Sequence, residues 1–102
     1  MDENFTIDCV VESNPTAHLI WINPKKYKIK NEERDDQYKT DAIKSNNFRI
    51  NHKLTVLNAK FDDSGQYLCQ AENDFGKTIS TIIVNGNSVN LLLLIIMIVK
   101  MI

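Results

Sequence analysis

The stretch DDSGQYLCQAEN, residues 62–73, predicts a tight corner followed by a buried β-strand. Asp63, Gly65, Tyr67 and Cys69 occupy alternate positions, and alternate residues of an extended strand point to the same side of a sheet. Gly65 gives the backbone the freedom to turn, and the short polar side chains before it commonly bond to their own backbone in turns. We therefore expect Tyr67 and Cys69 to point into a core.

The remainder of residues 5–84 also has the pattern of short strands separated by turns. The first strand places four apolar residues on one face and four other residues on the opposite face, namely Phe5, Ile7, Cys9 and Val11 against Thr6, Asp8, Val10 and Glu12. Further strands are predicted at residues 19–22, 27–30, 54–57, 65–72 and 77–84, whereas residues 31–47 are polar with weak strand signals. Six or seven short strands are typical of an all-β sandwich of two sheets.

The composition is that of one ordinary globular domain. The chain has 102 residues, of which 43% are hydrophobic, which is enough for one core and too few for two domains. Its 12 basic and 13 acidic residues give a net charge of -1, so we expect no general attraction to nucleic acid or to acidic lipid. Partners are therefore expected to recognise local surfaces.

The two ends differ from this body. The opening MDENFTID is acidic and lacks the apolar core of a secretory signal. Residues 91–99 are all apolar and precede Lys100, and a helix over residues 91–102 would span roughly 18 Å, less than the ~30 Å hydrocarbon core of a bilayer. Three interpretations of this tail stay open: the start of a truncated membrane segment, non-native sequence read past a coding boundary, or a native anchor or partner-docking tail.

A constellation of residues resembles the I-set group of the immunoglobulin superfamily. It consists of Cys9 with Trp21, Leu54-x-Val56, Asp63-x-Gly65-x-Tyr67-x-Cys69 and Ala71-Glu72-Asn73-Asp74-Phe75-Gly76. The resemblance covers about residues 5–85 and implies an immunoglobulin-like, two-sheet antiparallel sandwich.

The resemblance also implies structural roles for the core residues. Cys9 and Cys69 would form the disulfide between the sheets, and Trp21 would be the tryptophan that packs over it, with Leu54 as a further core residue. Closing so long a loop would contribute roughly 4 kcal/mol on the chain-entropy model.

Two further roles follow from the resemblance at the corner. Tyr67 would donate a hydrogen bond from its hydroxyl to upstream backbone, as in the tyrosine corner. Asp63 would pair with a basic residue, for which Lys44 and Arg49 are the candidates.

The sequence departs from the family at both ends of the domain. Family members begin with strands A and A′, but only eight residues precede Cys9, and Gly86 stands where an inward apolar residue is expected. Without a partner, the last strand would expose an isoleucine-rich edge. We expect an immunoglobulin-like domain at residues 1–86 that lacks its first strand or strands, followed by the apolar tail at residues 87–102.

Two surface segments suggest modification or ligand binding. Asn4 begins an Asn-Phe-Thr acceptor for N-glycosylation in a secreted protein, whereas proline blocks the similar tripeptide at Asn14. Residues 25–30 contain four lysines that could attract heparan sulfate, but lysines also protect edge strands, and acidic residues follow closely. Asn4 is therefore the candidate glycosylation site if the protein is secreted, and we expect no heparan sulfate binding.

A predicted outer face of the sheet offers a candidate binding surface. If Trp21, Cys69 and Val84 point inward, the residues that point outward from the same three neighbouring strands are Ile20, Ile22, Leu68 and Ile83. A contiguous exposed apolar patch commonly marks a protein interface, and the family often uses this CFG face for adhesive pairing. Ordinary surface apolarity, or cover by a neighbouring domain, is the alternative.

Sequence motifs of catalysis are absent. His18 and His52 have no HExxH-type spacing, and the chain has no CxxC, no GxSxG and no phosphate-binding glycine loop. We expect no enzyme activity, no cofactor and no metal. The preferred interpretation is a protein-binding module of a cell-surface adhesion or receptor protein on the extracellular side of the plasma membrane. The alternative is a structural I-set module of a cytoplasmic muscle filament protein, in which the cysteines would usually stay reduced.

Overall fold

Strands make up most of the computed structural model, which describes residues 3–29, 37–46, 48–85 and 95–101. In these residues the strands are β1 (Glu3–Ser13), β2 (His18–Ile22), β3 (Lys28–Ile29), β4 (Tyr38–Asn46), β5 (Arg49–Ala59), β6 (Gly65–Asn73), β7 (Gly76–Val84) and β8 (Ile95–Met101). One turn of 3-10 helix, Phe61–Asp63, joins β5 to β6.

The strands form two four-stranded sheets. One has the order β3-β2-β6-β7 and is antiparallel throughout. The other has the order β4-β5-β1-β8, in which only the β1–β8 pair is parallel. The predicted all-β, two-sheet sandwich is confirmed.

The core lies between the two sheets and follows from alternation along the strands. Successive strand residues face opposite sides, so each strand contributes every second side chain to the interior. The buried hydrophobic cluster comprises Phe5, Ile7, Cys9, Val11, Ala17, Leu19, Trp21, Ile29, Leu54, Val56, Ala59, Tyr67, Cys69, Ala71, Ile82 and Val84.

Two strands are longer or more definite than the sequence suggests. β5 extends the predicted segment 54–57 in both directions, and β4 forms within the polar stretch 31–47. β4 pairs with β5 from Tyr38 opposite Val56 to Asn46 opposite Arg49. Pairing with β5 along its length gives β4 backbone hydrogen bonds, and these stabilise the strand although its local strand preference is weak.

The apolar tail contains β8 and has no described helix. Within the residues that the structure describes, no helix combines the length and the apolar character needed to cross a bilayer.

Candidate protein-binding face

The corner before β6 depends on Gly65 and Tyr67. Gly65 has φ of +135°, which L side chains rarely adopt, and a Cβ at this position would lie 2.9 Å from Cβ of Pro24. The buried Tyr67 donates a hydrogen bond from its hydroxyl to the carbonyl of Asp63. Its ring also meets the ring of Phe5 edge to face, with centroids 5.9 Å apart. The corner therefore positions β6 against the core.

The partners of Asp63 differ from the sequence prediction. Its Oδ1 accepts a hydrogen bond of 2.7 Å from Nε2 of Gln37. Arg49 instead lies beside Glu12, with 3.8 Å between the charged atoms, and Lys44 has no ion pair within the described residues. Because β1 and β5 are in register, Arg49 lies directly opposite Glu12, which places its guanidinium beside that carboxylate.

The centre of the core is a disulfide between the sheets. Cys9 of β1 and Cys69 of β6 are bonded, with Cα atoms 6.5 Å apart. Trp21 pairs with Cys69 across the β2–β6 ladder, and His52 pairs with Cys9 across the β1–β5 ladder. The two rings meet edge to face with centroids 5.6 Å apart. One aromatic ring from each sheet thus flanks the cross-link.

Sequence reasoning missed His52 as a core residue. It is 2% exposed, and neither ring nitrogen has a hydrogen-bond partner within the described residues. Burial, and secondarily the charge of His18, lowers the pKa of His52 to about 4, because the charged form loses its hydration. The ring is therefore neutral at pH 7. Extending the alternation of Leu54 and Val56 by one step would have identified it.

The outer face of the β3-β2-β6-β7 sheet carries the predicted apolar side chains. Ile20, Ile22 and Leu68 are half-buried there, and Ile83 is 67% exposed. Ile79 of β7, which the sequence analysis overlooked, lies on the same face and is 51% exposed. We call these five residues the apolar patch.

The register brings members of the apolar patch together. Leu68 lies directly opposite Ile22, and the next outward residue of β2 is Ile20. On its other side, Leu68 pairs with Thr81, which stands between Ile79 and Ile83 on β7. Diagonal neighbours in a sheet are roughly 7–8 Å apart, so both isoleucines can contact the same bound surface as Leu68.

Polar side chains lie among the residues of the apolar patch, and charged side chains border it. Gln70 of β6 lies between Ile20 and Ile79 in the register, and Lys28 of the edge strand β3 lies opposite Ile22. At the other end, Glu72 and Lys77 form an exposed ion pair of 3.9 Å. An apolar centre with a polar rim has the anatomy of a protein interface.

The segment at residues 25–30 is held by a turn that precedes β3. Oδ1 of Asn23 accepts hydrogen bonds from the backbone N–H groups of Lys25 and Tyr27, at 3.0 and 2.9 Å. β3 then occupies the edge of its sheet, as predicted for a lysine-flanked edge strand, while Lys30 lies outside the described residues.

The glycosylation acceptor lies near the start of β1. Asn4 is exposed, and its Oδ1 accepts a hydrogen bond of 2.9 Å from the backbone N–H of Asn58. Thr6, the third residue of the acceptor, shares a hydroxyl hydrogen bond of 3.0 Å with Thr55. The amide nitrogen of Asn4 is the atom that would carry a sugar.

Within the part of the chain that the structure describes, no three His, Cys, Asp or Glu side chains are grouped to hold a metal ion.

Comparisons with known proteins agree with this architecture. The family described as Immunoglobulin I-set domain matches residues 1–85. Neural cell adhesion molecule L1 of Rattus norvegicus and of Mus musculus are each 30% identical over 74 residues, which is 72% of this chain and 5% of theirs. The chain thus spans about a twentieth of the length of these relatives.

Solved structures share the fold. The complex of Dpr2 Ig1-Ig2 with DIP-Theta Ig1-Ig3 contains a chain that matches with a TM-score of 0.73 and 24% identity, over 83% of this chain and 27% of that one. The twitchin kinase region from C. elegans matches with a TM-score of 0.65 and 20% identity, over 82% and 13%. Titin M4 matches with a TM-score of 0.59 and 17% identity, over 82% and 78%.

Proposed function

Because the chain belongs to the immunoglobulin I-set family, we propose that it is a non-catalytic, protein-binding module of a cell-surface adhesion or receptor protein. One observation carries the proposal: the outer face of β2, β6 and β7 presents the apolar patch within a polar rim. The similarity to the adhesion molecule L1 supports a cell-surface role.

The mechanism is rigid display of this face. The module comprises residues 1–86, and the Cys9–Cys69 bond fixes β6 against β1 beneath the apolar patch. A preorganised surface loses little conformational freedom on binding, so more of the interaction energy appears as affinity.

The partner is a second copy of the same chain. With a net charge of -1, two copies repel each other weakly. A two-fold arrangement would place the apolar patch of each copy against that of the other, which is how a self-complementary interface is built. The edge strand β7 presents Ile79 and Ile83 where such a partner would approach.

Two isoleucines provide a matched test by analytical ultracentrifugation. Ile79 on the outer face of β7 and Ile43 on the outer face of β4 are 51% and 52% exposed. We expect the wild-type chain and Ile43→Glu to self-associate and Ile79→Glu to sediment as a monomer. A monomeric wild type would contradict the homophilic partner, and equal loss in both variants would contradict the choice of face.

The cellular location is tested on the protein isolated from its source. We expect thiol-trapped, non-reduced peptide mapping by mass spectrometry to find Cys9 linked to Cys69 and a sugar on Asn4. Two free thiols and an unmodified Asn4 would contradict an extracellular location. They would favour the alternative of a structural module in a cytoplasmic muscle filament, the setting that the fold likeness to titin suggests.

A further inference from the structure

The edge of β1 that faces away from β5 is occupied by the C-terminal segment. β8 runs parallel to β1, in an unbroken register from Ile7 opposite Ile95 to Ser13 opposite Met101. An unpaired strand edge presents a row of free N–H and C=O groups that can pair with another chain. Here β8 covers that row along the second half of β1.

Burial on β1 agrees with this pairing. Asp8 and Val10 point to the outer side of the sheet, yet they are only 3% and 5% exposed. Their register partners are Ile96 and Ile98, at the middle of β8. The outward positions of β1 beside the middle of β8 are therefore deeply buried, which an open sheet edge would not produce.

Apart from a register shift between Glu3 and Phe5 and the acidic residues Asp8 and Glu12, β1 has few of the usual devices against edge pairing. Residues 3–13 include no lysine, proline or glycine, and residues 9–11 are Cys-Val-Val. Strands with this composition and a free edge tend to pair with other chains. Because the core-facing residues of β1 alternate with its outward residues, an incoming strand would also find a defined register.

One buried polar atom of β1, on the residue opposite Ile96, lacks a hydrogen-bond partner within the described residues. Oδ2 of Asp8 lies 3.7 Å from Nζ of Lys53 and 3.4 Å from Nδ2 of Asn51, but Oδ1 has no hydrogen-bond partner within the described residues. Burying a carboxylate oxygen without a partner costs free energy, which hydration would restore if β8 left.

From these observations we propose that residues 95–101 act as an intramolecular edge strand, which occupies the β1 edge and prevents that edge from pairing with a second copy of the chain. This role goes beyond the proposed binding function, since β1 and the apolar patch belong to different sheets.

Zero-length carbodiimide cross-linking tests the pairing. Glu12 lies opposite Lys100 in the register, and the side chain of Glu12 is 25% exposed. Lys100 is the only lysine that follows Lys77 in the sequence. In an equal mixture of ¹⁵N-labelled and unlabelled chains, we expect a Glu12–Lys100 amide whose two peptides always carry the same label. Mixed-label pairs, or a Lys100 that links elsewhere or not at all, would overturn the proposal. Lys100→Arg is the control, because it keeps the charge and removes the reactive amine.

Proline substitutions in β8 test the protective role. Neighbouring amides of an edge strand alternate between facing the sheet and facing away, so one of Met97→Pro and Ile98→Pro must remove a hydrogen bond to β1. Both are made in the Ile79→Glu background, in which we expect no association through the apolar patch. In at least one variant we expect faster amide hydrogen exchange in β1, with oligomers detected by light scattering. Slow exchange in both, or fast exchange without oligomers, would overturn the proposal.

Discussion

The two sheets bury the same kind of side chain in the shared core but differ in the side chains on their outer faces. On the outer side of β1 and β5, Arg49 lies 3.8 Å from Glu12 and Lys53 lies 3.7 Å from Asp8. The outer side of β2, β6 and β7 carries the apolar patch instead. The inward side chains of both sheets pack into one shared core, so they are mainly apolar in both sheets. Outward positions are free to differ, and this difference locates the candidate binding face.

The largest loss of stability is expected when the disulfide that joins the two sheets is removed. The double variant Cys9→Ala/Cys69→Ala opens a loop with a sequence separation of 60, so we expect a loss of roughly 4 kcal/mol in the free energy of unfolding. Urea denaturation followed by circular dichroism measures the change. An unaltered midpoint and slope would show that the cross-link does not hold the sheets together.

Low pH should destabilise the core through His52 of β5, which titrates, and not through Trp21 of β2, which does not. The folded pKa of His52 is about 4 and the ordinary value is 6.5, so the unfolded chain gains the proton first as the pH falls. The stability contributed by neutral His52 is present above pH 6.5 and is lost between pH 6.5 and about 4. At 1.36 kcal/mol per pH unit the loss approaches about 3 kcal/mol.

The measurement is the unfolding free energy of wild type and His52→Leu at several pH values. We expect the variant to lose much less stability across this range. His18→Gln removes the smaller, charge-based cause of the lowered His52 pKa, so we expect it to reduce the loss only slightly. A parallel decline in wild type and His52→Leu would assign the acid sensitivity to carboxyl groups.

On the outer side of β1 and β5, Lys53→Met should lower the stability of the protein. Asp8 has a side chain only 5% exposed, and losing its cation leaves Asn51 as the one described donor to this carboxylate. We expect a loss of about 1–3 kcal/mol in thermal or chemical unfolding. The double variant Asp8→Asn/Lys53→Met should recover part of it, and additive losses would show that the two residues do not interact.

The smallest effect is expected for the matched change Lys77→Met beside the apolar patch. The Lys77–Glu72 pair has nearly the same distance, 3.9 Å, but its side chains are 48% and 57% exposed. Solvent screens such a pair, so the expected change is about 0.5 kcal/mol or less. If Lys77→Met cost as much as Lys53→Met, burial would not be the property that separates the two faces.

The sequence predicted most of the strand pattern, and the reasons for its successes are local. Alternation identifies Tyr67, Cys69 and Trp21 as inward residues because a strand has a period of two. The same rule identifies the outward residues of the apolar patch. His52 and Ile79 were overlooked only because the alternation was not followed far enough along β5 and β7.

Other features depend on contacts distant in sequence. β4 has weak local strand signals and forms along β5, and Arg49 binds Glu12 because β1 and β5 are in register. Asp8 and Val10 likewise pair with residues more than eighty positions away, in β8. No pattern within a short window of sequence contains that information.

The arrangement around the disulfide gives the molecule an optical property. Trp21 is the only tryptophan, it is fully buried, and Cys69 lies opposite it in the β2–β6 ladder. Disulfides quench indole emission at short range by accepting an electron from the excited ring. The folded, oxidised protein should therefore be nearly dark under ultraviolet excitation, and reduction of the cross-link should brighten it before the emission shifts to longer wavelength.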